Sequence, residues 1–416
     1  MSFRTTWRVL AAVASIATGA ALVRSVAFAD DAPGTRIPRV LTVGLATGPS
    51  PHDDVDLGRT RRAKDRLPTS KLKLDWTANV GEEATLLVTK DAIVAVHQDT
   101  LAFDMQGRRL WAHGGGGSPL GAPAILADGT VVVLHTDGSV AGDGSGDSTR
   151  SFHASLVTPA KEETRGAGVL PLADGGFFVH WGDTLAWFDG EGRPRDTVHA
   201  SVAYRFVSTV AVVGGAAYTS TAGGAVYRIK EPAEPAFVGS FGGTVGRVVA
   251  FGADALVAVV GGERIVSMSL AGGSLNVLGR VEVGERMDGA LATARGRVCG
   301  AAVLGTQVYV ECFEAGKPAA VVRAAVDTMP VVPVDAGAGA MISAAMERRA
   351  LIIDDSWTVA YVSPRGPVLV KDGGAALRVG PWYCSGRSPE IVPAGAGSFL
   401  TLCGREMRKY TGEFSP

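Results

Sequence analysis

The sequence has few of the residue patterns that mark metal, redox and nucleotide sites. None of its seven histidines stands in H-x-H or H-E-x-x-H spacing, and its four cysteines form no C-x-x-C pair. Zinc sites and dithiol redox sites commonly use such spacing. The glycine run "HGGGGSPLG" lacks the Lys-Ser/Thr ending of a phosphate-binding loop, so we interpret it as a connection between repeats.

Signatures of catalysis are also missing. No G-x-S-x-G nucleophile elbow occurs. The stretch "DGSGDS" offers oxygens at alternate positions, but Ser148 and Ala154 stand where a calcium loop needs Gly and Glu. Asp354 and Asp355 are adjacent, so in a strand they point to opposite faces and suit a hairpin turn better than acid–base catalysis. The sequence therefore predicts no catalytic residue, no cofactor-binding residue and no metal ligand.

The chain has no excess of basic residues, with 40 Lys and Arg against 41 Asp and Glu. Without Arg4, Arg8 and Arg24 in the first 29 residues, 37 basic residues face 41 acidic ones, a net charge of −4. A protein that grips nucleic acid usually carries a basic surplus. We expect no nucleic-acid partner.

Long apolar runs are absent beyond the N-terminus. "VLAAVASIATGAALV" has 15 apolar or small residues, follows Arg4 and Arg8, and precedes Ala27 and Ala29 in the spacing of a cleavage site. The run is shorter than the about 20 residues of a membrane-spanning helix. Residues 1–29 are predicted to be a signal peptide cleaved near Ala29, with an uncleaved anchor as the alternative. If the signal peptide is cleaved, the protein is expected to be periplasmic or secreted, with no transmembrane segment.

Residues 30–70 are rich in Pro, Asp and Arg and are predicted to be a flexible linker or tail. Its basic stretch, residues 59–66, has an alternative interpretation as an electrostatic tether to an acidic surface. Because a solvated linker packs against nothing, its removal should be tolerated.

The rest of the chain is rich in glycine and repeats itself. Short β-branched runs separated by Asp/Gly turns indicate antiparallel strands. The third strand of each repeat is predicted to begin near residues 101, 140, 186, 226, 265, 308, 359 and 407. This period fits a four-stranded blade. Residues 71–416 are therefore predicted to form an all-β, eight-bladed β-propeller, or a seven-bladed one if two weak repeats merge.

Three repeats contain Asp-x-x-Gly, in which the carboxylate accepts backbone N–H bonds and glycine supplies a positive φ. We interpret these residues as turn and packing residues, with Trp111 capping its outer strand against the next blade. They are Asp104, Gly107, Trp111, Asp143, Gly146, Asp189 and Gly192.

"LAFDMQGRRLW" resembles the repeat of the pyrroloquinoline-quinone-type propellers, through Ala102, Asp104, Gly107 and Trp111. The resemblance implies the propeller fold. The dehydrogenases of that group carry an adjacent cysteine pair and acidic calcium ligands beside their cofactor. This chain has no adjacent cysteines, so it resembles a non-catalytic branch, and no cofactor is expected.

Two disulfides are predicted in the oxidising compartment. Symmetric pairing about a hairpin at Gly305-Thr306 places Cys299 directly opposite Cys312. Cys384 and Cys403 would then pair by elimination.

The last repeat ends before its fourth strand. Residues 72–78, with Leu72, Leu74 and Trp76 alternating on one face, are predicted to pair with residues 406–411 and close the last blade. An unclosed blade would leave an open strand edge.

A propeller presents loops on two rigid faces, where recognition is commonly built. The sequence favours an exported, non-catalytic and monomeric propeller that binds a protein partner as a scaffolding module of the cell envelope. The alternative is an exported enzyme, either a degenerate quinoprotein dehydrogenase or a polysaccharide-acting enzyme. Carboxylates or histidines converging on the channel would favour the enzyme, and an apolar channel would favour the scaffold.

Overall fold

The computed structural model describes residues 61–413, except for 83, 115–116, 145–150, 156–166, 201–209, 232, 318, 329–350, 364, 372–375 and 379–389. The described residues form eight antiparallel four-stranded sheets, which are the eight predicted blades. In the described part of the chain, no helix is long and apolar enough to cross a membrane.

Each of the first four blades uses four consecutive strands. Blade 1 has β2 (Thr85–Val88), β3 (Ile93–Val96), β4 (Thr100–Phe103) and β5 (Arg109–His113), and blade 2 has β6 (Ala124–Ile125), β7 (Val131–Leu134), β8 (Ser139–Asp143) and β9 (Phe152–Ser155). Blade 3 has β10 (Gly168–Pro171), β11 (Phe177–Trp181), β12 (Thr184–Phe188) and β13 (Pro194–His199), and blade 4 has β14 (Ala211–Val213), β15 (Ala216–Ser220), β16 (Ala225–Lys230) and β17 (Ala233–Ser240).

Blades 5 to 7 repeat this order, and blade 8 combines the two ends of the chain. Blade 5 has β18 (Val245–Phe251), β19 (Ala255–Val260), β20 (Arg264–Ser269) and β21 (Leu275–Arg280), and blade 6 has β22 (Arg286–Ala294), β23 (Arg297–Leu304), β24 (Gln307–Glu314) and β25 (Val322–Thr328). Blade 7 has β26 (Leu351–Ile353), β27 (Val359–Ser363), β28 (Gly366–Val370) and β29 (Ala376–Arg378), and blade 8 has β30 (Glu390–Pro393), β31 (Ser398–Cys403), β32 (Glu406–Glu413) and β1 (Ser70–Asn79).

Strand position in the blade explains the sequence pattern. Second strands such as β11, "FFVHW", are buried along their whole length because neighbouring blades cover both faces of the sheet. Outer strands such as β13, "PRDTVH", alternate half-buried and exposed residues because one face looks outwards. Stacked aromatic rings fill the space between blades 2 and 3, where Phe177 lies between Phe152 and Phe188 at centroid distances of 5.5 and 4.9 Å.

The predicted closure is confirmed: β1 pairs with β32 from Ser70 opposite Glu413 to Asn79 opposite Glu406. The predicted face of β1 needs one correction. The register shifts between Ser70 and Lys73 and again between Leu74 and Trp76, so these bulges interrupt the alternation expected from the sequence. As a result Leu72 and Trp76 are half-buried, whereas Leu74 is 44% exposed.

The seventh repeat also differs from its predicted register. Its third strand is β28, which begins at Gly366, and residue 359 begins the second strand. The turn at Asp354 therefore joins the first and second strands, because the apolar "LII" before it is the inner strand.

The predicted disulfide between Cys299 and Cys312 is present, and the two residues are directly opposite on β23 and β24 with a Cα–Cα distance of 4.0 Å. In the chain-entropy view such a short loop contributes about 3 kcal/mol. Cys403 is also disulfide-bonded. Its predicted partner Cys384 lies outside the described residues, as do the predicted signal peptide and residues 30–60.

The predicted linker boundary is wrong, because residues 61–69 belong to the propeller. Ala63 and Leu67 are 0% and 1% exposed and lie in the same apolar cluster as the inner strands of blades 7 and 8. The backbone N–H of Ala63 donates to the carbonyl oxygen of Ile353, and Arg62 forms an isolated parallel β-bridge with Ile353. The two apolar residues in this charged segment supply the buried surface that a linker would lack.

Candidate functional site

The Asp-x-x-Gly residues hold turns. Asp104 Oδ1 accepts the backbone N–H groups of Gln106 and Arg108 at 3.0 and 2.9 Å, and its Oδ2 pairs with the Arg108 side chain. Asp189 makes the equivalent bonds to Glu191 and Arg193. Of the third pair, Asp143 ends β8, and Gly146 lies outside the described residues.

The turn at Gly107 also supports the closure of the ring. Gly107 and Gly192 both have positive φ, 81° and 75°. A Cβ added to Gly107 would lie 2.7 Å from the Trp76 ring, and Trp76 Nε1 donates to Met105 O at 3.1 Å. Trp111 is half-buried against an apolar cluster that contains residues of blades 1 and 2, in line with its expected role.

We expect Gly107→Ala to lower the free energy of unfolding by about 2–4 kcal/mol, because alanine is strained at this φ and would displace Trp76. The measurement is denaturant unfolding. Gly129→Ala is the control, because Gly129 has a φ of 91° with nothing within 4 Å of its added Cβ. Equal losses in the two variants would show that Trp76 does not require the glycine.

The central channel contains a buried arginine that the sequence did not reveal. Arg61 is 0% exposed, and its Nε donates to Leu351 O at 2.6 Å while one terminal nitrogen donates to Ile391 O at 2.8 Å. These carbonyls belong to the inner strands of blades 7 and 8, so Arg61 joins two blades. Its φ of 50° is unusual for a residue other than glycine and is held by the surrounding packing.

The inner strands are mostly apolar where the structure describes their side chains, as in "TLLV" of β2 and "LII" of β26. The charged exceptions are Glu390 of β30, Arg247 of β18 and Arg286 of β22, of which Glu390 and Arg247 interact within the protein. Among the described residues no group of three His, Cys, Asp or Glu side chains could hold a metal ion.

A cavity of 360 Å³ lies between blades 5 and 6, at the end of the ring where the inner strands begin. We call it the blade 5–6 pocket. Its lining residues are Thr244, Val245, Gly246, Arg247, Val259, Gly261, Gly262, Arg286 and Met287. Backbone hydrogen bonds fix its walls, from Gly261 N to Thr244 O at 2.9 Å and from Met287 N to Gly262 O at 2.8 Å.

A buried ionic cluster anchors the loop beside this pocket. Arg323 donates to Glu311 at 2.9 Å and to Glu285 at 2.5 Å, and lies 3.9 Å above the Tyr309 ring. Both carboxylates are 1% exposed. Burial, together with the charge of Glu285, raises the pKa of Glu311 to about 7. Glu285 also accepts the backbone N–H of Glu282, which fixes the loop that these two residues delimit.

The raised pKa of Glu311 gives a pH dependence. The folded-state pKa of about 7 exceeds the ordinary value of 4.5, so this contribution to stability is present below pH 4.5 and is lost as pH rises through 7. Between pH 5 and 8 we expect the free energy of unfolding to fall by on the order of 2 kcal/mol in the unaltered protein. In Glu311→Gln this fall should be absent. Unfolding curves at both pH values measure this difference.

The control is Glu314→Gln on the same strand. Hydrogen bonds from Lys317 and Arg297 lower the pKa of Glu314, so its contribution is lost only as pH falls through the acidic range. Glu314→Gln should therefore keep the decline between pH 5 and 8. A decline of equal size in Glu311→Gln would rule out Glu311 as its source.

No family model and no curated protein matches the sequence. Solved structures match it as folds. BamB from Moraxella catarrhalis is 10% identical, with 83% of this chain and 99% of that chain covered and a TM-score of 0.57. The quinohemoprotein alcohol dehydrogenase ADHIIG from Pseudomonas putida HK5 is 8% identical, with 89% and 82% covered and a TM-score of 0.60. The computationally designed Ika8 protein is 12% identical, with 84% and 100% covered and a TM-score of 0.55.

These similarities confirm the predicted resemblance to the pyrroloquinoline-quinone-type propellers at the level of fold. At such identities they establish the propeller architecture alone, because one fold serves many functions.

Proposed function

We propose that the chain is an exported, non-catalytic β-propeller that binds a protein partner of the cell envelope and acts as a scaffold. Export rests on the signal-like residues 1–29, with Arg4 and Arg8 before an apolar run. The propeller fold, which this chain shares with BamB, offers a rigid framework for recognition loops.

The observation that carries the proposal is the channel. Its described inner strands are mainly apolar, and Arg61 spans two of them through backbone carbonyls. A catalytic channel needs acids, bases or nucleophiles within reach of one another. Arg61 instead joins blades 7 and 8 in this space, which supports a binding role for the outer surfaces and loops.

Affinity purification tests the binding function. The tagged protein, expressed with residues 1–29 in the cells that produce it, should recover a defined protein from the envelope fraction after cross-linking. A chain without residues 1–29 should stay with the cytoplasmic fraction and recover none of it. Export of the chain that lacks residues 1–29 would contradict the proposal. Recovery of nothing above background by the complete chain would contradict it as well.

The enzymatic alternative has a direct test. ADHIIG is a quinohemoprotein alcohol dehydrogenase, so the purified protein is assayed for quinone-dependent dye reduction with alcohols and sugars, with and without calcium. We expect no turnover above a protein-free control. Robust turnover that depends on added quinone would show that the protein is an enzyme and would contradict the non-catalytic proposal.

A further inference from the structure

Two buried carboxyl groups share one guanidinium group in blade 6. Arg323 donates to Glu285 Oε1 through a terminal nitrogen and to Glu311 Oε1 through Nε. Both glutamates are buried, so water does little to screen the repulsion between them. A third carboxylate, that of Glu282, lies 3.4 Å from the same arginine. With both buried carboxyl groups ionised, Arg323 cannot neutralise them.

One oxygen of this cluster indicates where a proton belongs. Among the described residues nothing donates a hydrogen bond to Glu311 Oε2, although that atom is buried. A buried carboxylate oxygen without a donor costs free energy, whereas a protonated carboxyl group becomes a donor itself. Burial, the charge of Glu285 and a hydrogen bond to Glu285 raise the pKa of Glu311 to about 7. The two carboxyl groups are therefore arranged to share one proton.

The charged and titratable neighbours within blade 6 do not supply the missing positive charge. On the loop that carries Glu285, Glu282 is exposed and negative, and Arg286 is exposed and lines the blade 5–6 pocket. On β24 the Tyr309 ring lies 3.9 Å from the Arg323 guanidinium carbon. On the other side of Glu311, β23 places Gly300 directly opposite it.

The neighbouring strands β20, β21 and β22 do not supply this charge either. Met287 of β22 packs against Gly300, with its sulfur 2.6 Å from the position of an added Cβ. Arg264 of β20 and Arg280 of β21 are directly opposite each other. A terminal nitrogen of Arg264 lies 3.9 Å from the position of a Cβ on Gly243, so this arginine pair is on the blade 4 face of blade 5.

The same pair anchors an exposed loop, residues 282–285. Glu285 Oε2 accepts the N–H of Glu282 at 3.1 Å, and the N–H of Glu285 donates to Glu282 O at 3.0 Å. Val283 at the tip is 101% exposed, so its burial does nothing to hold the loop in place. Glu311, by contrast, is paired with strands on both sides. If the two carboxylates repel each other, Glu285 is the one that is free to move.

We propose that the proton shared by Glu285 and Glu311 is a pH-sensitive latch for residues 282–285. With the proton in place, Glu285 stays on Arg323 and the loop is closed. When the proton is lost, the loop opens and carries Glu285 into water, which leaves Arg323 paired with Glu311. The latch does not depend on the proposed binding function. A partner that contacts Val283 would meet a fixed loop below neutral pH and, above it, a mobile loop with a greater ordering cost.

The direction and size of the effect follow from linkage. The closed loop holds Glu311 with a pKa of about 7, and in the open loop Glu311 has Arg323 to itself and stays ionised. Opening therefore becomes more favourable as pH rises through 7. Between pH 6 and 8 the opening equilibrium should increase by roughly 10-fold.

Hydrogen exchange of the purified protein at pH 6 and 8 tests the latch. The exchange rates of the Glu282 and Glu285 amides are divided by their intrinsic chemical rates at the same pH, which gives their protection factors. We expect these protection factors to fall about 10-fold from pH 6 to pH 8. Low concentrations of denaturant should not accelerate this exchange, because local opening exposes little surface.

Three glutamine variants separate the latch from a general effect of pH. Glu311→Gln and Glu285→Gln each remove one of the two acids that share the proton, so the fall should be absent in both. If one of them does not fold, the other gives the same comparison. Glu282→Gln is the matched control, because this glutamate is on the same loop but its side chain is 63% exposed. It should keep the fall.

Unchanged protection between pH 6 and 8 in the unaltered protein would overturn the latch. So would a fall that persists in Glu311→Gln and Glu285→Gln, or one that Glu282→Gln abolishes as well. A fall that disappears only in the two buried-site variants supports it. This result would stand even if the protein recovers no partner from the envelope, so failure of the binding function is seen separately.

Discussion

A chain that begins at residue 80 should aggregate or melt roughly 10 °C or more below a chain that begins at residue 70, since it lacks a whole edge strand. The removed residues include β1, which covers β32 from Glu406 to Glu413. Without it the last blade presents an open row of backbone groups, and the Trp76 contact with blade 1 is lost. Size-exclusion chromatography and thermal melting measure both effects.

The control within this series is Trp76→Ala in the complete chain. Because the ring is half-buried and not fully covered, we expect a loss of about 2 kcal/mol, less than the usual cost for a core tryptophan. If the chains that begin at 70 and 80 melt alike, β1 does not close the ring.

Arg61→Ala should lower the free energy of unfolding by about 3 kcal/mol, because it leaves two buried carbonyls without their charged donor. The adjacent Arg62→Ala is the control, since Arg62 is 43% exposed and its ion pair with Asp355 should contribute less than about 1 kcal/mol. Denaturant unfolding of the two variants gives the comparison.

Equal losses in the two variants would mean that Arg61 does not join blades 7 and 8. The contacts of residues 61–69 contradict the expectation that the whole predicted linker can be removed without loss of stability. A chain that begins at residue 70 should melt below the complete chain, because it lacks the buried Ala63 and Leu67 as well as Arg61.

The repeat period predicted the blades because each blade is a local unit with its own hydrogen bonds. Closure could also be predicted, since the last repeat lacks a strand and residues 72–78 have no other partner. The bulge between Leu74 and Trp76 could not, because strand alternation carries no information about a register shift. Charge composition misled the interpretation of residues 61–69, where two apolar side chains determine the packing.

The blade 5–6 pocket was missed for a different reason. Its charged lining residues, Arg247 and Arg286, belong to two blades and form no sequence motif, and only the fold brings them together. Sequence reasoning also missed the buried pair Glu285 and Glu311. Glu285 lies in the connection before β22, and Glu311 lies on the third strand of blade 6. Their common partner Arg323 lies on an outer strand of blade 6.

Photo-crosslinking in the cells that produce the protein tests the central claim most directly. With a photoreactive residue at the exposed position of Val283 or of Phe237, we predict that at least one of the two gives one dominant cross-linked protein in the envelope fraction. The absence of any such product at both positions, together with quinone-dependent turnover by the purified protein, would contradict a non-catalytic scaffold.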